Sequence, residues 1–324
     1  MPVHVPKLFI VVPCYNEEKT LPVSSILFAD EMTQLVGSGK VSPDSRILFV
    51  DDGSTDATWQ TIVALAKENS RFMGIRQSRN RGHQCALWAG LMEARTLGCD
   101  VTVTIDCDGQ DDIHAISAML DEYAKGADVV YGVRNDRSTD TFFKRFTAEC
   151  FYRLQAAMGV EAVFNHADYR LLSASFLDAL SNYQEANLYL RGLIPLVGFK
   201  SAQVPYKREK RIAGESHYSL VKMLAFAGDG ITSLSIRPIR LVLSCGILMT
   251  CLGLAALLAL MFLFLFHLFA SGTSLLLAFM AFLSGLQLVA IGIVGEYVGK
   301  AYLESKARPR VIISDRTWNE QGTI

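Results

Sequence analysis

Short apolar runs that stop abruptly in polar residues recur through the first half of the chain. Leu8-Phe-Ile-Val-Val12 is halted by Pro13 and followed by Cys14-Tyr-Asn-Glu-Glu18, and Arg46-Ile-Leu-Phe-Val50 ends in Asp51-Asp-Gly-Ser-Thr-Asp56. Phe72 to Arg76, Val101 to Ile105 and Ala127 to Val133 repeat the pattern. Runs this short and this rich in β-branched residues predict buried strands. Helical spacing between them predicts helices from near Glu17, over Ala57–Asn69 with Thr55 or Asp56 as its cap, and over Gln84–Leu97. Strands that alternate with helices predict an α/β fold with a mostly parallel sheet covered on both faces. Ligands of such sheets bind outside the carboxyl ends of the strands. That rule gathers Tyr15, Asp51, Asp52, Asn80, Asp106, Asp108 and Arg134 around one crevice.

Beyond Arg134 the pattern becomes helical and mixed. Phe142–Met158 reads as a helix, Phe164–Leu172 carries Asp168 and Arg170, and Phe176–Leu196 is amphipathic. Phe199–Tyr206 suits an edge strand, and Tyr218–Leu234 has the spacing of a helix lying along a membrane surface. Then the charge vanishes: no Asp, Glu, Lys or Arg occurs from Leu241 to Gly295. Two apolar segments, 241–269 and 274–295, each exceed the roughly 20 residues that span a hydrocarbon core. Arg237 and Arg240 precede them, and Lys300, Lys306, Arg308 and Arg310 follow, so the positive-inside rule places both flanks in the cytosol. The expected organisation is a cytosolic domain over 1–235, with membrane-surface helices within 176–234. A transmembrane hairpin follows over 236–299, and a cytosolic tail over 300–324.

Composition narrows the function. The 324 residues carry a formal charge of -1, unlike the basic balance of general nucleic-acid binders. Seven cysteines without a Cys-x-x-Cys pair give no zinc signature and suit a reducing compartment. The first apolar run begins too early for the longer apolar core of a signal peptide, so the polar domain is expected to stay in the cytosol.

The candidate chemistry centres on Val101-Thr-Val-Thr-Ile-Asp-Cys-Asp-Gly-Gln-Asp-Asp112. A strand running into short carboxylates sets several anionic oxygens at one sheet edge. They repel unless a cation such as Mg²⁺ lies between them; the other reading is a solvated acidic turn bent at Gly109. No phosphate-binding Gly-x-x-x-x-Gly-Lys loop and no Gly-x-Ser-x-Gly elbow competes with this crevice. Metal, arginines and polar strand ends together form a reasonable set for a nucleoside diphosphate.

Several motifs in order resemble the inverting family 2 glycosyltransferases with the GT-A fold: Val12-Pro-Cys-Tyr-Asn-Glu-Glu18, Asp51-Asp-Gly-Ser-Thr-Asp56, Arg79-Asn80 with Gly82, and Asp106-Cys-Asp108. Asp128–Arg134, Ala167–Leu172, Arg191-Gly192, Arg211 with Gly214–Ser219, and Gly295–Val298 resemble the polyprenyl-phosphate group, which includes dolichol-phosphate mannose synthase-like enzymes. The resemblance implies that Pro13, Tyr15, Glu17, Asp51, Asp52 and Asn80 hold the donor nucleotide, with Asp106 also on the donor. It implies Mg²⁺ or Mn²⁺ on Asp108 and Gln110, and the acceptor phosphate on Arg134 with Arg145, Arg211 and Ser216. It implies a catalytic set of Asp106, Asp108, Asp168 and Arg134, a UDP-sugar such as UDP-glucose as donor, undecaprenyl phosphate as acceptor, an inner-membrane location and a tetramer. Gly109, Asp112-Ile-His114, Ala167 and His217 depart from that group's usual residues.

A polyprenyl phosphate is already anionic near neutral pH, its second pKa lying near about 6, so it attacks the anomeric carbon without a strong base. Direct displacement inverts the anomeric centre. Asp168 or Glu185 then either orients the acceptor or pairs structurally with Arg170 or Arg191. Two other functions fit the sequence less well: a processive polysaccharide synthase, whose Gln-x-x-Arg-Trp marker is absent, and a catalytically silent membrane scaffold, at odds with the intact Asp106, Asp108, Gln110 and Arg134.

Overall fold

The computed structural model describes residues 5–134, 166–185, 188–207, 238–240 and 273–318, with positions 242, 244, 246 and 248. In chain order the described elements are β1 (Leu8–Cys14), α1 (Leu21–Gly37), β2 (Arg46–Asp51), α2 (Thr58–Glu68), β3 (Phe72–Gln77), α3 (His83–Thr96), β4 (Val101–Thr104), α4 (Ala115–Ala124) and β5 (Val129–Arg134). They continue as β6 (His166–Ser173), α5 (Ala174–Leu180), α6 (Leu190–Val197), β7 (Ser201–Tyr206), α7 (Thr273–Ser305) and β8 (Ile313–Arg316).

One eight-stranded sheet runs β7-β5-β6-β4-β1-β2-β3-β8. Strands β1 to β4 are parallel neighbours where they pair, β5 runs in their direction, and β6 and β8 run against them. The alternation of β1 explains why both faces need cover. Leu8, Ile10 and Val12 pack with Phe28 and Met32 of α1 and Ile116 and Met119 of α4, while Phe9 and Val11 pack with Leu87 and Leu91 of α3 and Phe176 of α5. A strand apolar at every position is what a sheet buried on both faces requires. The register carries Cys14 opposite Asp51 and Asp51 opposite Arg76, so the polar strand ends finish at one edge.

The early strands and α2 and α3 lie within a residue or two of their expected places. Four elements differ. The first helix starts at Leu21, because the carbonyl of Glu17 is occupied in a turn by the N–H groups of Thr20 and Leu21. The Asp168–Arg170 segment is the antiparallel strand β6, inserted between β4 and β5, within a stretch whose pattern read as helical and mixed. The amphipathic stretch 176–196 is two short helices. Its apolar residues Phe176, Leu177, Leu180, Leu190, Leu193 and Ile194 are buried in the domain core. Finally, the tail after α7 returns to the sheet: β8 pairs with β3, Thr317 Oγ1 accepts from the Gly74 N–H at 3.0 Å, and Arg316 bridges Glu93 at 2.7 Å.

Among the described residues, no helix is long and apolar enough to cross a membrane. The first expected span, 241–269, lies outside the described residues except for four positions. The second falls on α7, and most side chains of its first half also lie outside them. Phe142–Met158 and Tyr218–Leu234 lie outside the described residues as well.

A candidate active site at the strand ends

Two loops after β1 and β2 are laced together by hydrogen bonds. Asn16 adopts φ 55°, a left-handed conformation that Asn tolerates better than most residues. Its N–H donates to Ser54 Oγ at 3.0 Å and its side-chain oxygen accepts from the Thr55 N–H at 2.9 Å. The Glu17 N–H reaches Thr58 Oγ1 at 2.8 Å, and Glu18 accepts from the Ala57 N–H at 3.1 Å. Asp56, expected as a cap, accepts from the Thr58 N–H at 3.0 Å. With these bonds made internally, Tyr15 is left 45% exposed beside the buried Pro13.

Asp51 and Asp52 are buried and serve the same edge differently. Asp51 accepts from the Ser54 N–H at 2.9 Å and faces Arg76 at 3.3 Å, a charge contact without hydrogen-bond alignment. Asp52 accepts from the N–H groups of Arg81 and Gly82 at 2.8 and 2.9 Å. Burial raises its pKa, and those two N–H groups oppose the rise. Gly53 makes this possible: its φ is +66°, and a Cβ there would lie 2.5 Å from the Arg79 carbonyl carbon. The loop bearing Arg79, Asn80 and Gly82 therefore packs directly on the Asp51–Gly53 turn, and Asn80 steadies it by accepting from the Gly82 N–H at 3.1 Å.

The next loop opens α3 with His83, and this residue was not foreseen. Its Nε2 lies 3.7 Å from Asp106 and 3.4 Å from Asp168, so it sits between the end of β4 and strand β6. Burial alone would lower its pKa, but the bond to Asp168 and the charges of Asp106 and Asp168 outweigh it and raise it. The strand-end rule, extended to the residue after Gly82, finds it.

Asp106 is partly open at this edge. Burial, reinforced by Asp111, Asp168 and Asp108 and opposed by His83, pushes its carboxyl up to about 6. Asp108 is buried and accepts from the Gln110 N–H at 3.1 Å, a short turn that fixes both residues. Gly109 lies between them at φ +66°, which accounts for a glycine at that departure from the usual sequence. His114, another departure, meets the buried Glu31 at 2.6 Å, and Asp112 offers its carbonyl to Tyr169 Oη at 2.9 Å. Cys107 points inward, 3.4 Å from Ser24 Oγ, as part of the core beneath the carboxylates.

Asp168 is the opposite case. Arg170 hydrogen-bonds one of its oxygens, Arg191 Nη2 the other at 2.9 Å, and Gln84 Nε2 approaches at 3.4 Å. Burial would raise its pKa, yet Arg191, Arg170 and His83 together hold it well below the usual carboxylate range. Such a group is a poor proton acceptor and a good electrostatic anchor. Glu185 lies elsewhere, in the wall of a cavity beside α7.

Arg134, at the end of β5, is held in a second network. Its Nε donates to Tyr206 Oη at 3.1 Å, Tyr206 Oη donates to Asp111 at 2.6 Å, and Arg134 Nη2 lies 3.4 Å from the same carboxylate. Asp111 was visible in the acidic stretch. Nothing in the sequence pointed to Tyr206, which pairs with it across the sheet. Arg145, Arg211 and Ser216 lie outside the described residues. Among the described residues no three His, Cys, Asp or Glu side chains are arranged to hold a metal ion.

Residues 9–180 match the family described as glycosyl transferase family 2. The chain is 45% identical to the uncharacterized glycosyltransferase YkoT of Bacillus subtilis over 98% of its own length and 94% of that protein. It is 35% identical to the bactoprenol glucosyl transferase of Shigella phage SfX over 96% of its length and 99% of that protein. The chain belongs to glycosyl transferase family 2.

Proposed function

We propose that this family 2 glycosyltransferase moves a sugar, with inversion, from a nucleotide-sugar to a polyprenyl phosphate at the cytosolic face of a membrane. UDP-glucose is the favoured donor and undecaprenyl phosphate the favoured acceptor. The observation that carries the reading is the crowding of Asp106, Asp108, Asp111 and Asp168 at the carboxyl edge of the sheet, only part of which the protein's own cations neutralise. Identity of 35% over 95–96% of the chain to two bactoprenol glucosyl transferases supports the acceptor class.

The carboxylates fit Mg²⁺ or Mn²⁺ by chemistry. They are hard oxygen donors at one edge, and Mg²⁺ characteristically uses one or two carboxylates and completes its shell with water and substrate phosphate. A protein cage of three side chains is not needed for that. Asp108 would hold the ion, with Gln110 beside it and Asp106 toward the donor. When bound, the ion would neutralise the leaving diphosphate.

The chain's own residues supply the alignment. The laced loops around Tyr15, Glu17, Asp51, Asp52 and Asn80 form a preset floor for base and ribose. Arg134, fixed by Tyr206 and Asp111, presents its charge at the edge where an acceptor phosphate would approach, with Arg145, Arg211 and Ser216 assigned to the same phosphate. Asp168 keeps Arg191 and His83 in place and takes no proton, consistent with a nucleophile that is already an anion. In this reading 241–269 and 274–295 form the membrane hairpin, with both termini cytosolic and four chains in the assembly.

The reading is tested with purified full-length protein, UDP- and GDP-sugars, undecaprenyl phosphate and Mn²⁺. Lipid-linked sugar should form from one donor and disappear with Asp108→Ala. Absence of transfer from every donor, or full activity of the variant, would overturn it.

A further inference from the structure

A cavity of about 820 Å³ opens between α3, the α5–α6 connection and the carboxyl-terminal end of α7. Asp106, Asp108, Asp168 and His83 are absent from its lining, so it is separate from the strand-end site. Its volume falls within the range of ligand pockets. One wall is fixed by the returning tail: the Arg310 guanidinium stacks 4.4 Å from the centre of the Trp88 ring and its Nη2 donates to the Tyr183 carbonyl at 2.7 Å.

The lining chemistry is two-sided. Lys300, Arg308 and Arg310 contribute positive charge, while Glu185 and Glu304 contribute negative charge. The Lys300 side chain is 12% exposed, and its ammonium stands 3.7 Å from Glu296. Glu185 Oε2 is shielded from solvent and accepts no hydrogen bond. A buried carboxylate oxygen left without a donor is costly, and a ligand hydroxyl would relieve that cost. A bare anion would gain from the cations and lose against the two glutamates. A ligand that combines phosphate with hydroxyls satisfies both sides, and the tyrosines Tyr183, Tyr189 and Tyr297 add flat apolar surface around it.

The cavity's place says what kind of molecule brings that group. It lies at the foot of α7, whose preceding turns, from 273 to 295, contain no charged residue. We infer that the cavity binds a phosphodiester headgroup bearing hydroxyls on a lipid tail, with the phosphate toward Arg308 and Lys300 and a hydroxyl on Glu185. Two sources share this chemistry: a phosphoglycerol lipid of the bilayer, and the sugar-phosphate lipid that the proposed reaction would release. Both sources rest on the membrane hairpin of the proposed reading, and only the second rests on the transfer reaction as well.

Calorimetric titration of the full-length protein in neutral detergent separates the cases. The ligands are dihexanoyl phosphatidylglycerol, a short prenyl phosphoglucose, dihexanoyl phosphatidylcholine and inorganic phosphate. The hydroxyl-bearing diesters should bind at least tenfold more tightly than phosphatidylcholine or phosphate, and the tighter of the two identifies the source. Arg308→Gln and Glu185→Gln should each weaken that binding about tenfold and leave UDP binding and the melting temperature unchanged. Equal binding of all four ligands, or diester binding indifferent to both substitutions, would overturn the inference. If phosphatidylglycerol binds as described while no sugar transfer occurs, the cavity assignment stands and the proposed function fails. Transfer without any such binding gives the reverse result.

Discussion

Asp168 and Asp106 stand on either side of His83 at the same sheet edge, and they are treated in opposite ways. On the β6 side, the fold supplies countercharge from Arg170 and Arg191, and the Asp168 carboxyl is pulled well below its ordinary range. At the end of β4, burial and three neighbouring carboxylates push Asp106 up to about 6, with His83 the main opposing charge. In the proposed function the completed carboxylate is a structural anchor, and its raised neighbour is the one that meets the bound ligand. The difference sorts these acidic residues into anchor and site.

The largest effect should fall on the anchor. Asp168→Asn removes the carboxylate charge beside the buried Arg170, and breaking such a pair costs about 3–5 kcal/mol of stability. Chemical denaturation would measure it. The sign follows from the depressed pKa: the contribution of Asp168 is present above the ordinary carboxylate value and is lost as pH falls through the lowered one. On the other side, Asp106→Asn should reduce transfer by about 10²–10³, the range seen when one charge-stabilising group is lost. Its melting temperature should not fall, because the change removes a repelled charge. If Asp106→Asn unfolds the protein while Asp168→Asn does not, anchor and site have been assigned the wrong way round.

Smaller effects test the floor of the site. Gly53→Ala places a methyl group against the Arg79 backbone at positive φ and should cost about 1–3 kcal/mol, weakening donor binding along with stability. The pH dependence of metal binding should be mildest. With the Asp106 carboxyl raised to about 6, its negative charge beside Asp108 is lost as pH falls through that value, so Mn²⁺ affinity should weaken below about pH 6 and level off above it.

Much of the fold was legible because β1 to β4 are local units: an apolar run, a polar stop and a helix, each recognisable in one stretch. The carboxylate edge followed from the same units, since parallel strands bring their ends together. Strand β6 was harder, because its position between β4 and β5 depends on pairing with residues about seventy positions earlier, such as Thr102 with Leu172. Strand β8 was harder still: Ile313–Arg316 joins β3 from the far side of α7, and a short exposed edge strand has little hydrophobic pattern to announce it. Likewise, Tyr206 carries no motif. Its function comes from a sheet order that sets β7 beside β5 and so brings it to Arg134 and Asp111.

The central claim is that the carboxylate edge of Asp106 and Asp108 serves a bound metal and diphosphate, whereas Asp168 is completed by Arg170 and Arg191. Titration of Mn²⁺ into full-length protein saturated with UDP, followed by calorimetry on wild type, Asp108→Ala and Arg191→Gln, tests it most directly. The account predicts that Asp108→Ala loses nucleotide-dependent Mn²⁺ binding at an unchanged melting temperature, while Arg191→Gln keeps Mn²⁺ binding and melts lower. Wild-type Mn²⁺ affinity in Asp108→Ala would contradict it.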